Sequence, residues 1–153
     1  MTIYLLLKFF HVSSVIVWIG SVVSVSTLTY RISRAGNREA LAVLLRQLEW
    51  YGPWIFGLSS VLALVTGIAM VLVGHLRFGA LWITSGFVGV AFHILTGSIL
   101  IRKRTTELAK LVSNPSVDEA SLRAGASRLW HLQLLYLAVM ATVVAAMVIK
   151  PTI

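Results

Sequence analysis

Four histidines are the residues of this chain best suited to chemistry, and two of them, one near the outer boundary and one near mid-depth, fall inside apolar stretches. His11 lies in the first such stretch. His93 lies in the third, on a helical face that it shares with Gly86, Gly89 and Gly97. Imidazole is a common axial ligand of haem iron, and glycines above and below it would let a flat macrocycle approach the helix. The pattern therefore predicts a b-type haem with His11 and His93 as candidate ligands.

Both histidines also have a plainer interpretation. His93 can be a neutral histidine that is hydrogen-bonded across a tight glycine seam, and His11 can be an interfacial residue beside Lys8 and the outer surface. At 1.5 Å per residue the two differ in depth by very roughly 10 Å. One haem bound by both would therefore need tilted helices or a steeply inclined porphyrin, so a five-coordinate haem is an alternative.

Three further residues enter this prediction. Met70 is a less favoured ligand that could pair with one histidine, and it is otherwise a core or lipid-facing residue. His131 is also a less favoured ligand and fits an interfacial position better, while His75 is expected on the surface. Trp18 is too deep for an interfacial aromatic belt, so we expect it to wall a pocket beside His11.

Other chemistries are excluded or unsupported by the residue types. The chain has no cysteine, which excludes disulfides, thiolate metal sites and cysteine nucleophiles. No predicted span contains a pair of carboxylates, and the sequence has no glycine-rich phosphate loop and no HxxxH metal pair.

The composition indicates a membrane protein. Of 153 residues 58% are hydrophobic and only 12% are charged, about half the share in an ordinary soluble domain. The mean hydropathy is +0.91. The net charge of +8 would suggest nucleic acid in a soluble protein. Here the basic residues flank apolar spans, so membrane topology and anionic lipid headgroups explain them better.

Four apolar segments are each near the length of one membrane crossing: residues 4–29, 54–74, 80–101 and 129–149. Each carries small residues at helical spacing, which is how helices pack in lipid. The sequence therefore predicts a single domain, an all-α integral membrane four-helix bundle. The four predicted small-residue seams are Ser13, Gly20, Ser24 and Thr27; Gly57, Ser60, Gly67 and Gly74; Gly86, Gly89 and Gly97; and Ala138, Ala141 and Ala145.

The two long connections hold most of the basic residues, so the positive-inside rule predicts cytoplasmic loops and periplasmic termini. Both loops are expected to be partly helical. Asn37 is a candidate N-cap for the first, and Ser116 with Glu119 is a candidate capping box in the second. These helices are either extensions of the spans or amphipathic stretches at the interface.

The chain resembles the bacterial family of predicted integral membrane proteins catalogued as domain of unknown function 2269. Five segments in order carry the resemblance, and together they cover most of the chain. The resemblance implies membrane integration, and no settled activity comes with it. The segments are LKFFHVSSVIVWIG (7–20), RQLEWYGPWIF (46–56), LVTGIAMVLV (64–73), FGALWITSGFVG (78–89) and MVIKP (147–151).

The first span also resembles that of HemJ-type protoporphyrinogen oxidases and, more distantly, of CopD-type copper-resistance membrane domains. In both, an early histidine is followed by Trp and Gly, as His11, Trp18 and Gly20 are here. The HemJ resemblance, which extends to the terminal Lys150-Pro151, implies haem bound by the first-span histidine. The Pro-Arg pair that follows this glycine in HemJ-type chains is missing, so the oxidase activity is not carried over, and haem binding stays open.

These observations together predict a b-type haem protein of the bacterial inner membrane with a redox or electron-transfer role. Its partner would be a quinone, a porphyrin or a redox protein. Two alternatives stay open. One is a non-enzymatic membrane subunit or scaffold without cofactor, which could form a homodimer through the small-residue seams. The other is a copper-handling module.

Overall fold

The computed structural model describes residues 2–150, and every regular element in that range is helical. Two of the elements are π-helical turns that join α-helices end to end, so the chain forms four long helices. In order the elements are α1 (Thr2–Arg34), α2 (Arg38–Gly52), a first π turn (Pro53–Leu58), α3 (Ser59–Val73), α4 (Leu81–Leu95), a second π turn (Thr96–Ile101), α5 (Arg102–Ser113) and α6 (Glu119–Ile149).

All four long helices have the length and apolar content to cross a membrane. Their outward faces carry large exposed apolar side chains, such as Ile16, Val88 and Leu135. A monomeric soluble protein rarely exposes so large an apolar surface, whereas lipid is its natural surrounding. The predicted fold class, an all-α membrane bundle with four spanning helices, is confirmed.

Proline explains the position of the first π turn. Pro53 has no backbone N–H, and its ring would clash with a carbonyl of the preceding turn of an α-helix. A π turn absorbs such an interruption without ending the helix. The Ser59 hydroxyl, at the start of α3, donates to the carbonyl of Ile55 inside the π turn. The helix therefore continues from α2 into α3.

Within the bundle α1 and α6 lie side by side, α3 packs on α1, and α4 packs on α6. In both outer pairs a glycine stripe receives large side chains of the neighbouring helix. This is close packing of the kind that joins helices in lipid, where the hydrophobic effect does not draw them together. The contacts, each measured from the position that a glycine Cβ would occupy, are His11 on Gly67, Tyr4 on Gly74, Met147 on Gly86 and Val143 on Gly89.

Most glycines of the second and third predicted seams thus face neighbouring helices, although Gly57 faces open space and Gly97 meets only His93 of its own helix. The seams of the first and last spans do not face inward. Gly20 and Ser24 in α1 and all three alanines of the α6 seam are exposed. Large side chains occupy the inward faces of these two helices instead, and Trp18, Tyr136 and Met140 form one buried cluster with Ala63. The prediction that these two seams pack inside the bundle is wrong.

A second core lies at the end of the bundle away from the termini. It consists of apolar residues of α2, α5 and α6, so the loop helices are extensions of the spans that form a four-helix bundle of their own with the end of α1. An amphipathic stretch lying along the interface would not bury its apolar face in this way. The buried members are Leu41, Leu45, Leu108, Val112, Leu122, Ala126 and Leu129.

Local capping agrees with one prediction and corrects another. The Asn37 side chain accepts from the Ala40 N–H at 2.9 Å, as expected for an N-cap. The N-cap of α6 is Asp118, which accepts from the Ser121 N–H at 3.2 Å, and the predicted capping box of Ser116 with Glu119 is wrong. Hydrogen bonds from Ser121 also hold the pKa of the Asp118 carboxyl below its usual value.

Arg38 joins the two connections at this end of the bundle. Its guanidinium donates to the carbonyls of Val112 at 2.9 Å and Leu111 at 3.1 Å, which belong to the last turn of α5, and to those of Asn114 and Val117 beyond it. The last carbonyls of a helix have no partner within the helix. Arg38 supplies these partners from the first residue of α2.

An even number of spans puts both ends of the chain on one side of the membrane, and we expect that side to be the periplasm. The basic residues concentrate in the two long connections at the opposite end, and few lie elsewhere. Alkaline phosphatase fused after residue 153 should be active, and green fluorescent protein fused there should stay dark. The reverse pattern would overturn this orientation. Pro151, the last residue of the family-like Lys-Pro pair, lies outside the described residues.

Candidate functional site

A buried cluster of polar aromatic side chains lies where α1, α4 and α6 meet; we call it the Trp18–His93–Tyr136 cluster. The Nδ1 atom of His93 lies 2.8 Å from the Tyr136 hydroxyl oxygen. The Trp18 indole packs edge-on against the imidazole, with ring centroids 4.3 Å apart. None of the three side chains is more than 9% exposed. The hydrogen bond satisfies His93 inside the bundle, so its burial is explained without a ligand.

Two buried polar atoms at the bundle centre have no hydrogen-bond partner within residues 2–150. They are the Trp18 indole nitrogen, which belongs to the cluster, and Oε1 of Gln133, one turn from Tyr136 on the inward stripe of α6. A buried donor or acceptor without a partner costs about 1–3 kcal/mol. A water molecule or a polar guest that paired with either atom would recover this cost.

His11 lies on a different pair of helices. Its Nδ1 atom is 2.8 Å from the carbonyl oxygen of Ala63 and 3.4 Å from the Thr66 hydroxyl. Since a carbonyl only accepts, Nδ1 carries the proton and Nε2 is the free imine nitrogen. The ring rests on Gly67, whose missing side chain leaves the space that the imidazole fills. The structure therefore holds the half-buried imidazole of His11, from α1, in a fixed orientation against α3.

This arrangement matters because histidines that bind metals are usually held in the same way. A ligating histidine donates its other N–H to a carboxylate, a backbone carbonyl or water, which fixes its tautomer and orientation. His11 meets that condition through Ala63. In His93 the Tyr136 hydroxyl engages Nδ1 in the same way. On both rings Nε2 is therefore the nitrogen that remains for a ligand.

The two histidines lie at different depths. His93 is level with Trp18, which follows His11 by seven residues on α1. Seven residues rise by roughly 10 Å along a helix. Metal–imidazole bonds are about 2 Å long, so two rings at these depths do not share one ion.

The glycine face of α4 does not fit a haem. Val143 and Met147 of α6 occupy the space beside Gly89 and Gly86, and the ring of His93 lies 3.0 Å from the position that a Cβ at Gly97 would occupy. All three glycines therefore hold side chains rather than open space. The donor chemistry of His11 fits a haem or a metal ion, whereas the face of α4 around His93 leaves no room for a macrocycle.

The remaining candidates are placed as follows. Met70 lies on α3 one turn from Gly67, on the stripe that faces α1, and is half-buried. His131 is exposed, with Nδ1 only 2.7 Å from the carbonyl of Ser127 in its own helix. His75 is exposed at the end of α3, with a backbone φ of 48°. No group of three or more His, Asp or Glu side chains within residues 2–150 is arranged to hold a metal ion.

Tyr136 and Gln133 are the residues that the sequence prediction missed. Both are polar side chains in an apolar span, and they share the inward stripe of α6 with Leu129 and Met140. That stripe at helical spacing was a signal that could have placed Tyr136 and Gln133 on the inward face of α6. Trp18 was expected beside His11, and the structure instead brings it against His93.

Comparison with known proteins gives one match. Neither the curated proteins nor the solved structures contain a significant relative of this chain. A family model described as predicted integral membrane protein (DUF2269) matches residues 5–151, nearly the whole chain. Together with four helices that are long and apolar enough to span a membrane, this match shows that the chain belongs to that family of multi-pass integral membrane proteins.

Proposed function

We propose that this protein has a redox or electron-transfer role in the bacterial inner membrane, with His11 as the residue that holds its cofactor. The observation that carries the proposal is the orientation of this imidazole. Its Nδ1 proton is committed to the Ala63 carbonyl at 2.8 Å, and Nε2 is left as a free donor of an electron pair. The bond to Ala63 satisfies the ring N–H in an apolar setting, and Nε2 is the atom that a cofactor would use.

Haem b is the cofactor that we propose first. When bound, it supplies one-electron transfer to a quinone, a porphyrin or a redox partner protein. The residues of this chain would fix the imidazole through Ala63 and Thr66 and would hold water away with the apolar faces of α1 and α3. The packed glycine face of α4 requires such a haem to lie outside the Trp18–His93–Tyr136 cluster.

A copper ion is the second candidate, and Met70 is the observation that favours it. Met70 lies one turn from Gly67 on the α3 stripe that faces His11. A thioether is a soft donor that selects Cu(I), and imidazole also suits copper. Such a site would lie near the predicted periplasmic side of the membrane.

Substitution of His11 tests the proposal. The full chain is expressed with added haem or copper, purified in detergent, and examined by visible spectroscopy and metal analysis. We expect a Soret band or bound copper in the wild type and its loss in His11→Ala, because no neighbouring apolar residue replaces a coordinate bond. His75→Ala is the matched control, since His75 is exposed and lies about two helical turns beyond Gly67, on which the His11 ring rests.

The variant His93→Ala tests whether His93 is a ligand as well as His11. We expect this change to leave the spectrum alone and to lower the free energy of unfolding by about 1–3 kcal/mol, because the Tyr136 hydroxyl loses its partner. A spectral change in His93→Ala would instead make His93 a ligand. Wild-type protein without haem or copper under these conditions would favour the scaffold function.

A further inference from the structure

A groove runs along the outer face of α1, where the small-residue seam of the first span is turned away from the bundle. Its deeper section has a volume of about 390 Å³ and lies between α1 and the stretch from the end of α2 into the first π turn. Its second section, of about 770 Å³, continues along α1 to the turn before α2. Ser24 lines both sections, so they form one groove.

The shape of the groove fits a flexible chain better than a helix. Gly20 lies at its floor, with no atom within 4 Å of the position that a Cβ would occupy. Leu48, Ile55 and Phe56 line the same section and form a wall beside this floor. Helix pairing through small residues needs the two backbones to approach closely, and a helix about 10 Å wide would meet this wall first. An extended acyl chain is narrow enough to enter.

The length of the groove matches one leaflet. Gly20 lies in the deeper section and Arg31 lines the far end of the second. The two are eleven positions apart in the helix, which is a rise of roughly 16 Å. Half of a hydrocarbon core of about 30 Å is roughly 15 Å. The groove between Gly20 and Arg31 is therefore about as long as the acyl chain of one leaflet, with Arg31 at the end where the headgroup would lie.

The end of the groove is built for a negative charge. Arg31 is exposed, and the one ion pair formed within residues 2–150 joins Arg104 to Glu107, so no carboxylate neutralises Arg31. Asn37 also lines this end, and since its Oδ1 accepts from Ala40, its amide N–H groups are the atoms left to donate. The N-terminus of α2 begins at the next residue and adds a partial positive charge.

We propose that this groove binds one acyl chain of an anionic phospholipid, whose phosphate is held by Arg31 and Asn37. The apolar and small residues between Gly20 and Arg31 contact the chain, and the cationic end selects the headgroup. The inference is independent of the cofactor proposed for His11, which lies outside the residues that line the groove.

Native mass spectrometry of the full chain in detergent tests this site, with phosphatidylglycerol and phosphatidylcholine as probes. We expect the wild type to retain one phosphatidylglycerol more tightly than phosphatidylcholine. Arg31→Gln should weaken retention of phosphatidylglycerol about fivefold, because one surface cation near a headgroup contributes about 1 kcal/mol. Gly20→Leu should reduce retention of both lipids, since its side chain fills the floor.

Two matched variants serve as controls. Arg34→Gln removes a charge from the same turn of α1 without touching the groove, and Gly57→Leu fills open space at a glycine that does not line it. Neither should change retention. Equal retention of the two lipids by the wild type, or unchanged retention in Arg31→Gln, would overturn the proposal. A dimer that dissociates in Gly20→Leu would show that a second copy occupies the groove.

Discussion

Replacing Arg38 with alanine is expected to lower the free energy of unfolding by about 3 kcal/mol. A hydrogen bond to a charged group contributes about 1.5–3 kcal/mol, and such contributions are not additive within one side chain. Arg38 donates to four carbonyls at the end of α5 and in the following turn. Those of Leu111 and Asn114 also accept backbone N–H groups, so the carbonyls of Val112 and Val117 are the two that would lose their partner. Because the side chain is only half-buried, water can replace some of the lost hydrogen bonds. The expected loss of stability is therefore well below the sum of the separate hydrogen-bond contributions.

The measurement is equilibrium unfolding in detergent, followed by circular dichroism. Arg38→Lys should recover only a small part of the loss, because a single ammonium group cannot reach carbonyls that a planar guanidinium spans. Arg34→Ala is the matched control, since this exposed arginine lies four residues earlier, at the end of α1. A loss in Arg38→Ala no larger than in the control would mean that Arg38 is not the cap that holds the second core together.

A side chain at Gly89 is expected to have the second large effect. The Cβ of an alanine there would lie 2.9 and 3.0 Å from the two methyl groups of Val143. Valine is stiff about χ1 and cannot turn away, so α4 and α6 must separate. Overpacking of this kind costs about 1–3 kcal/mol. We expect a loss in this range for Gly89→Ala, and Gly89→Leu should not yield folded, monodisperse protein.

Comparison with Gly86 sharpens this prediction. The nearest atom there is closer still, but it is the terminal methyl of Met147. An unbranched methionine adapts to a new neighbour, so Gly86→Ala should cost less than Gly89→Ala although its contact is tighter. Val143→Ala should restore stability to Gly89→Ala, and Gly57→Ala, which meets no atom within 4 Å, should be neutral. The opposite order for the two glycines, measured by thermal unfolding, would contradict this account of the α4–α6 contact.

The sequence alone determined the features that the membrane imposes. A hydrocarbon core of about 30 Å requires spans of about 20 apolar residues with every backbone group satisfied internally, so the four helices could be read from residue types. The Asn37 cap was also predictable, because its partner, Ala40, is three residues away. The extension of α2 and α5 beyond the spans could not be decided in this way, since an amphipathic helix can equally lie on a membrane or in a bundle.

Only the tertiary structure decided which faces turn inward. In a lipid-embedded helix both the inner and the outer face are apolar, so the pattern that marks the core of a soluble helix is weak. The small residues at helical spacing predict the inward faces of all four spans, but Gly20, Ser24 and the α6 alanines face outward. Trp18 and Tyr136 occupy the centre in their place.

The partners of the functional candidates depend on the same packing. His93 is satisfied by Tyr136, 43 residues away, and His11 by a carbonyl 52 residues away, while Arg38 reaches carbonyls more than 70 residues along the chain. No periodicity in one segment encodes such pairs, because they arise only when helices that are distant in sequence meet. Residue types could therefore nominate His11 and His93, and the packing of α1 on α3 and of α4 on α6 gave each imidazole its partner and its remaining free nitrogen.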